Sequence, residues 1–160
     1  MFEHRARMIL TRRLMAPEVY DLATRLSTLL VQHTASHIRS SCRHMIGMFL
    51  VHSPLGRKRM DQQLGFFVDN LGYVHESGRE SSMEMLLYLF NKLPEDLLVE
   101  KAAYCFIPLV LRLVNDESPR LRAMAGALLT SLLRRLPDQP FQRLYSLTVG
   151  WYSNEVPIFF

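Results

Sequence analysis

The stretch RAMAGALLTSLLRRLP, residues 122–137, contains the pattern that decides the fold. An arginine begins it, a small residue follows three positions later, apolar pairs stand six and seven and then ten and eleven positions after the arginine, and a proline ends it. Two further stretches share this arginine frame: RSSCRHMIGMFLVHSP at 39–54 and RESSMEMLLYLFNKLP at 79–94. Apolar positions three and four residues apart form one stripe of an α-helix, and proline ends the helix because the residue before it disfavours α geometry. Each arginine frame therefore predicts one amphipathic helix.

The spacing of the frames predicts a helical-repeat protein. Arg39, Arg79 and Arg122 are 40 and then 43 residues apart, which is in the range of HEAT and armadillo repeats. A single repeat of this kind cannot bury its apolar stripe alone, so neighbouring repeats must stack. We therefore predict an all-α fold, a right-handed HEAT-type α-α superhelix whose surface serves interactions.

Other apolar periodicities between the frames predict about three helix pairs, at 17–53, 57–93 and 95–136, and one unpaired terminal helix at 139–153. A turn is expected at 72–78, and Pro108 is expected to bend the long helix of the third pair. Residues 1–16 form a basic segment, interpreted as part of a preceding helix, and residues 154–160 form a tail. Because the last helix lacks a second half, we expect either that the chain is a fragment of a longer array or that another chain covers its end.

Composition favours a folded domain. The chain is 49% hydrophobic and 21% charged, which argues against disorder. No run approaches the roughly 18 apolar residues that a membrane-spanning helix needs. The two cysteines, Cys42 and Cys105, lie in apolar helical stretches, so we expect buried free thiols and no disulfide. The methionines at frame positions are expected to fill the core, namely Met45, Met48, Met83, Met85 and Met124.

Positive charge is concentrated in the first third of the chain. Residues 1–60 carry ten Arg or Lys and three acids, whereas residues 61–160 carry nine Arg or Lys and twelve acids. Arginine supplies sixteen of the nineteen basic residues, and its planar guanidinium suits phosphates and carboxylates. This distribution is compatible with an RNA-rich environment.

The most distinctive stretches are the turn Gly78-Arg79-Glu80 and the run IPLVLRLVND at 107–116, together with the Pro54-Leu55-Gly56 turn. In these stretches the chain resembles the family of the small-subunit processome component 20 homologue, also called the down-regulated-in-metastasis family. Its members are very large nucleolar HEAT-repeat proteins associated with the U3 small nucleolar RNA. The resemblance covers about residues 17–153 and is strongest over 54–116.

The resemblance implies a non-catalytic scaffold segment of the small-subunit processome, the 90S pre-ribosomal particle containing the U3 small nucleolar ribonucleoprotein. It implies a role in ribosomal RNA processing and ribosome biogenesis in the nucleolus. The expected partners are other processome proteins, with pre-ribosomal or U3 small nucleolar RNA as a further candidate. No cofactor, small-molecule substrate or membrane is implied. The alternative is a generic HEAT-repeat adaptor of the nuclear transport or chromatin type.

Five basic residues are the candidate contacts for protein or RNA: Arg57, Lys58, Arg59, Arg79 and Arg120. The first three follow Gly56 at the expected start of a helix, where backbone N–H groups and the helix dipole favour a phosphate. A solvated basic turn is the alternative interpretation. At the third frame, Asp116 is expected to cap the helix and Arg122 to reach back to the preceding turn.

Three other features of the sequence each have a functional interpretation and a simpler one. His33 and His37 have the spacing of two zinc ligands on one helix, but no acid lies near them, so solvated or turn histidines are favoured. Cys42 beside His44 could be a nucleophile pair, yet Cys42 occupies the small-residue position of its frame, which favours packing. Residues 1–15 could pass for a mitochondrial presequence, and an internal helix explains the same residues.

Overall fold

The computed structural model describes residues 17–53 and 55–152. These residues form seven α-helices and, after the third of them, a 3-10 turn at Asn70–Gly72, with no strand in the described ranges. The helices are α1 Pro17–Gln32, α2 Ser36–His52, α3 Arg57–Asp69, α4 Glu76–Lys92, α5 Glu95–Asn115, α6 Pro119–Leu133 and α7 Asp138–Tyr152. The chain has an all-α helical-repeat fold, as the arginine frames predict.

Several sequence predictions concern residues outside the described ranges. These are the basic segment 1–16, the closing proline of the first frame, Pro54, and the tail 154–160. The division of the chain into three helix pairs and one unpaired helix remains a prediction. Helix α5 continues through Pro108 to Asn115, and the bend expected at that proline also remains a prediction.

The chain divides into two compact units, Met1–Lys92 and Leu93–Phe160. In the first unit α1 packs against α2, both contact α4, and α3 packs against α4. Its core is largely apolar, with fully buried side chains from all four helices: Leu30, Ile46, Leu50, Leu64, Phe67, Met83 and Leu86.

In the second unit α5 packs against α6, and α7 contacts α5. The buried side chains of α5 and α6 recur at helical spacing: Leu98, Ala102, Cys105, Phe106 and Leu109 from α5, and Leu121, Ala125, Leu128, Leu129 and Leu132 from α6. Ser118 begins α6 by accepting a hydrogen bond from the Leu121 N–H at 3.5 Å, and Pro119 occupies the first helical position, where its missing N–H has no cost.

Two frame positions are buried in all three frame helices: the third position after the arginine, which is Cys42, Ser82 or Ala125, and the seventh, which is Ile46, Leu86 or Leu129. The sixth position behaves differently. At this position Met85 is fully buried in α4, but Met45 is 48% exposed on α2. Met48, at the ninth position of the first frame, is also 43% exposed. The prediction that the methionines fill the core is therefore wrong for Met45 and Met48.

The turn before α4 is shorter than predicted. Helix α4 begins at Glu76, so Gly78 lies inside its first turn and not in the connection. A Cβ at Gly78 would stand 2.3 Å from the Tyr73 ring and 2.8 Å from the backbone oxygen of Val31. Glycine is thus required here because the preceding turn and α1 approach the helix closely, and not because of turn conformation.

Candidate interaction surface

The three frame arginines share one geometry. The Nη1 of each donates hydrogen bonds to the backbone carbonyls six and five residues before it, in the turn that precedes its helix. The distances are 3.0 and 2.7 Å from Arg39 to His33 and Thr34, 3.1 and 3.2 Å from Arg79 to Tyr73 and Val74, and 2.6 and 3.3 Å from Arg122 to Asp116 and Glu117. The prediction that Arg122 reaches back to the preceding turn is confirmed. We call this arrangement the arginine clamp.

In two of the three turns, the residue six positions before the clamp arginine also holds the turn with its side chain. His33 accepts a hydrogen bond on Nδ1 from the Ala35 N–H at 3.0 Å, and Asp116 accepts one on Oδ1 from the Ser118 N–H, also at 3.0 Å. His33 is thus a turn histidine, as favoured from the sequence. Asp116 was expected to cap the helix itself, which is wrong because Ser118 is the N-cap; Asp116 stabilises the turn one step earlier.

The chemistry-bearing side chains of the described residues do not assemble into a reactive centre. Among residues 17–53 and 55–152, no three of the histidine, cysteine, aspartate and glutamate side chains are grouped as a metal site. Burial raises the pKa of the Cys42 thiol, and burial raises the pKa of Cys105 to about 12, although the positive charge of Lys101 acts in the opposite direction. A neutral thiol is a poor nucleophile, so neither cysteine is prepared for attack.

The basic residues at the start of α3 differ in how far they are exposed. Gly56 is the N-cap of the helix and provides no side-chain hydrogen bond, while Arg57 and Lys58 are exposed in the first turn. Arg59 is only half exposed because its guanidinium carbon lies 3.4 Å from the centre of the Tyr20 ring on α1. Such a cation–π contact is worth about 0.5–2 kcal/mol, so Arg59 contributes to holding α3 against α1.

The remaining candidate contacts lie on other helices. Arg79 is only 8% exposed, and its guanidinium is engaged in the arginine clamp of α4. Arg120 is exposed in the first turn of α6 and belongs to the second unit. The five candidates thus begin three different helices, and their contact with protein or RNA remains a prediction.

Sequence reasoning missed an exposed apolar stripe on α5. It consists of side chains that are 41–67% exposed and follow one another at intervals of three, four and three residues: Tyr104, Ile107, Leu111 and Val114. They lie opposite the buried Cys105 and Leu109, and residues 102–111 contain no charged side chain. A helix that is apolar all round is usually covered on every side. The sequence of α5 could have revealed the stripe, because the helix has more apolar residues than its buried face can hold, and the remaining ones recur at helical spacing.

None of the described helices is long and apolar enough to cross a membrane. No protein-family model matches the chain. Among curated proteins, it is similar to U3 small nucleolar RNA-associated protein 20 of Schizosaccharomyces pombe, with 33% identity over 149 residues, which is 93% of this chain and 6% of that protein. The protein of the same name from Saccharomyces cerevisiae is 30% identical over 146 residues, or 91% of this chain and 6% of that protein.

The resemblance inferred from the turns is confirmed. Both relatives carry the same name, and each match extends well beyond the stretches on which the resemblance was based. The chain spans only 6% of the length of these two relatives. The similarity therefore relates this chain to a short section of a much longer protein.

Proposed function

We propose that this chain is a non-catalytic scaffold segment of the small-subunit processome and supports pre-ribosomal RNA processing in the nucleolus. The observation that carries the proposal is the similarity over 93% of the chain to a protein named for its association with U3 small nucleolar RNA. The fold is compatible with it, because helical repeats present extended surfaces to partners without an active site. The neutral, buried thiols of Cys42 and Cys105 fit the same interpretation.

The proposal divides contacts between two kinds of surface. Exposed Arg57 and Lys58 at the start of α3, and Arg120 at the start of α6, are suited to RNA phosphates or acidic protein segments. The uncharged stripe on α5 suits an apolar protein surface, since it offers phosphates no compensating charge. Arg79 is assigned to the arginine clamp in place of a partner contact.

Affinity purification tests the proposal. A tagged form of the protein should retain U3 small nucleolar RNA and pre-ribosomal RNA, measured by quantitative reverse transcription against an unrelated small nucleolar RNA. Recovery of a transport or chromatin partner with no U3 enrichment would favour the generic adaptor and reject the processome assignment.

The charged contacts can be tested separately. If Arg57 and Lys58 touch RNA, Arg57→Ala with Lys58→Ala should weaken binding to a U3 RNA fragment and make the affinity less dependent on salt, because each lost phosphate contact lowers the slope by about one. Arg25→Ala with Lys92→Ala is the matched control, because it removes two exposed positive charges elsewhere in the first unit. Equal weakening by both double variants would show that only net charge matters.

A further inference from the structure

One side of α2 is exposed and carries no aspartate, glutamate, lysine or arginine. It consists of six exposed side chains that recur along the helix, and we call it the open side: His37, Ser41, His44, Met45, Met48 and His52. Met45 and Met48 are 48% and 43% exposed. A solvent-facing side of a helix usually carries charged residues, so this composition is unusual for a surface that meets only water.

The equivalent side of α4 is covered. Adding 40 to each number transfers positions from the first arginine frame to the second, since Arg39 becomes Arg79. The first five equivalents on α4 are all buried or half-buried: Ser77, Ser81, Glu84, Met85 and Tyr88. Methionine stands at the same frame position in both helices, yet Met45 is 48% exposed and Met85 is fully buried. The frame therefore uses this side of a helix to receive another helix.

Helix α2 contacts this side of α4 through polar side chains. Arg39 Nε donates a hydrogen bond to Ser81 Oγ at 3.1 Å, and Arg43 pairs with Glu84. The two arginines are four residues apart, so both lie on one side of α2. In this contact the covering helix provides the donors and the receiving helix provides the acceptors.

The next contact along the two helices is one of packing. Gly47, four residues after Arg43, meets Tyr88, whose Cε1 lies 2.8 Å from where a Cβ on Gly47 would stand. On the open side the equivalent of Tyr88 is Met48, which touches the Tyr88 hydroxyl with its sulfur at 3.8 Å and is still 43% exposed. Methionine is unbranched and adapts to different neighbours. A helix that covers Met48 therefore does not need a glycine at this contact.

The charges around the open side differ from those on α4. The position equivalent to Glu84 is His44, whose imidazole donates an N–H. Residues 22–60 contain six arginines or lysines and no aspartate or glutamate. An arginine brought to His44 would find no carboxylate on α2, whereas a carboxylate would find a donor in a positively charged neighbourhood. The open side therefore favours an acidic partner.

Two observations favour a protein over RNA as that partner. Contacts to phosphate depend largely on arginine and lysine, and the open side has neither. Met45 and Met48 instead offer apolar area at the middle of the helix, and methionine is enriched where proteins meet one another.

We propose that the open side of α2 binds an acidic amphipathic helix of a partner protein, in the way that α4 receives α2. The partner helix places a carboxylate opposite His44 and, four residues later, an apolar side chain opposite Met48. Met45 becomes buried in the complex. The scaffold thereby has a protein-docking site in addition to Arg57, Lys58 and the stripe on α5.

A stapled peptide with the sequence of α2 tests the docking. The probe is residues 36–52 with Arg43→Glu, held helical by a hydrocarbon staple between positions 44 and 48, and the matched control peptide keeps Arg43. In fluorescence anisotropy the full chain should bind the Arg43→Glu peptide about five-fold more tightly than the control, because a carboxylate then faces His44. His44→Glu in the chain should reverse this preference, since it recreates the pair that Arg43 forms with Glu84.

A second pair of variants locates the bound peptide. Met45→Asp should remove most of the binding of the Arg43→Glu peptide, whereas Leu22→Asp should leave it unchanged, because Leu22 is 56% exposed on α1. Circular dichroism checks that both variants are folded. No binding of either peptide, equal affinity for both, or equal loss in both variants would overturn the proposal, and so would displacement of the peptide by an RNA oligonucleotide. Recovery of U3 small nucleolar RNA with the tagged protein is a separate measurement, so a failed docking leaves the proposed function intact.

Discussion

Ser82 and Ser27 are both buried serines of the first unit, but their hydroxyl groups have different surroundings. The Ser82 Oγ has no hydrogen-bond partner among the described residues, whereas the Ser27 hydroxyl donates to Gln63 Oε1 at 2.8 Å. A buried polar group without a partner costs about 1–3 kcal/mol. We therefore expect Ser82→Ala to raise the free energy of unfolding by about 1 kcal/mol, measured by urea denaturation. Alanine already occupies this frame position at Ala125.

Ser27→Ala is the matched control, because it removes a hydroxyl from an equally buried site. It should lower the free energy of unfolding by about 0.5–1.5 kcal/mol, since Gln63 loses its partner. If Ser82→Ala also lowered the free energy of unfolding, the Ser82 hydroxyl would have a hydrogen-bond partner in solution.

Cys105 links stability to alkaline pH. Burial raises the pKa of this thiol from 9.0 to about 12, so the folded chain keeps it neutral where the unfolded chain would ionise it. Its contribution to stability is therefore complete below pH 9.0 and is lost as the pH rises from 9.0 towards about 12. The slope for one proton is about 1.4 kcal/mol per pH unit. Urea denaturation across this pH range should show that the free energy of unfolding declines more steeply for the native chain than for Cys105→Ala. Parallel declines would contradict the raised pKa of Cys105.

At the scale of elements, the arginine clamp explains why an arginine opens every frame. One guanidinium group donates to two successive carbonyls of the preceding turn, which lysine cannot reproduce with the same geometry. We expect Arg122→Lys to lower the free energy of unfolding by about 1–2 kcal/mol. Arg134→Lys is the control, since Arg134 is exposed at the end of α6. Both variants are compared by urea denaturation. Equal free energies of unfolding would show that the clamp does not contribute to stability.

The sequence predicts the helices better than their surroundings. Apolar spacing identifies the buried positions of Ile46, Leu86 and Leu129, because these depend only on which residues share one side of a helix. It fails at Met45, since periodicity does not say whether a neighbouring helix is present on that side. It also misses that Arg79 is engaged by its own turn, although Arg79 holds the same frame position as Arg122, for which a reach back to the preceding turn was predicted. The sequence therefore does not by itself distinguish basic residues that could contact RNA from arginines, such as Arg79, that stabilise the fold.

At the scale of the whole molecule, the account combines two kinds of support. The frames and the clamp specify a helical-repeat fold within each unit, and the similarity to two U3 small nucleolar RNA-associated proteins supports the processome assignment. A scaffold acts through its placement in a particle and not through turnover of a substrate. The function of a scaffold is consequently measured by its association with the particle and by the processing of the RNA in that particle.

Gradient sedimentation of nuclear extract tests the central proposal most directly. The protein should sediment with large pre-ribosomal particles that contain U3 small nucleolar RNA, and its depletion should lower mature small-subunit ribosomal RNA while its precursors accumulate. Sedimentation as a free protein, together with unchanged levels of precursor and mature small-subunit RNA after depletion, would contradict the account.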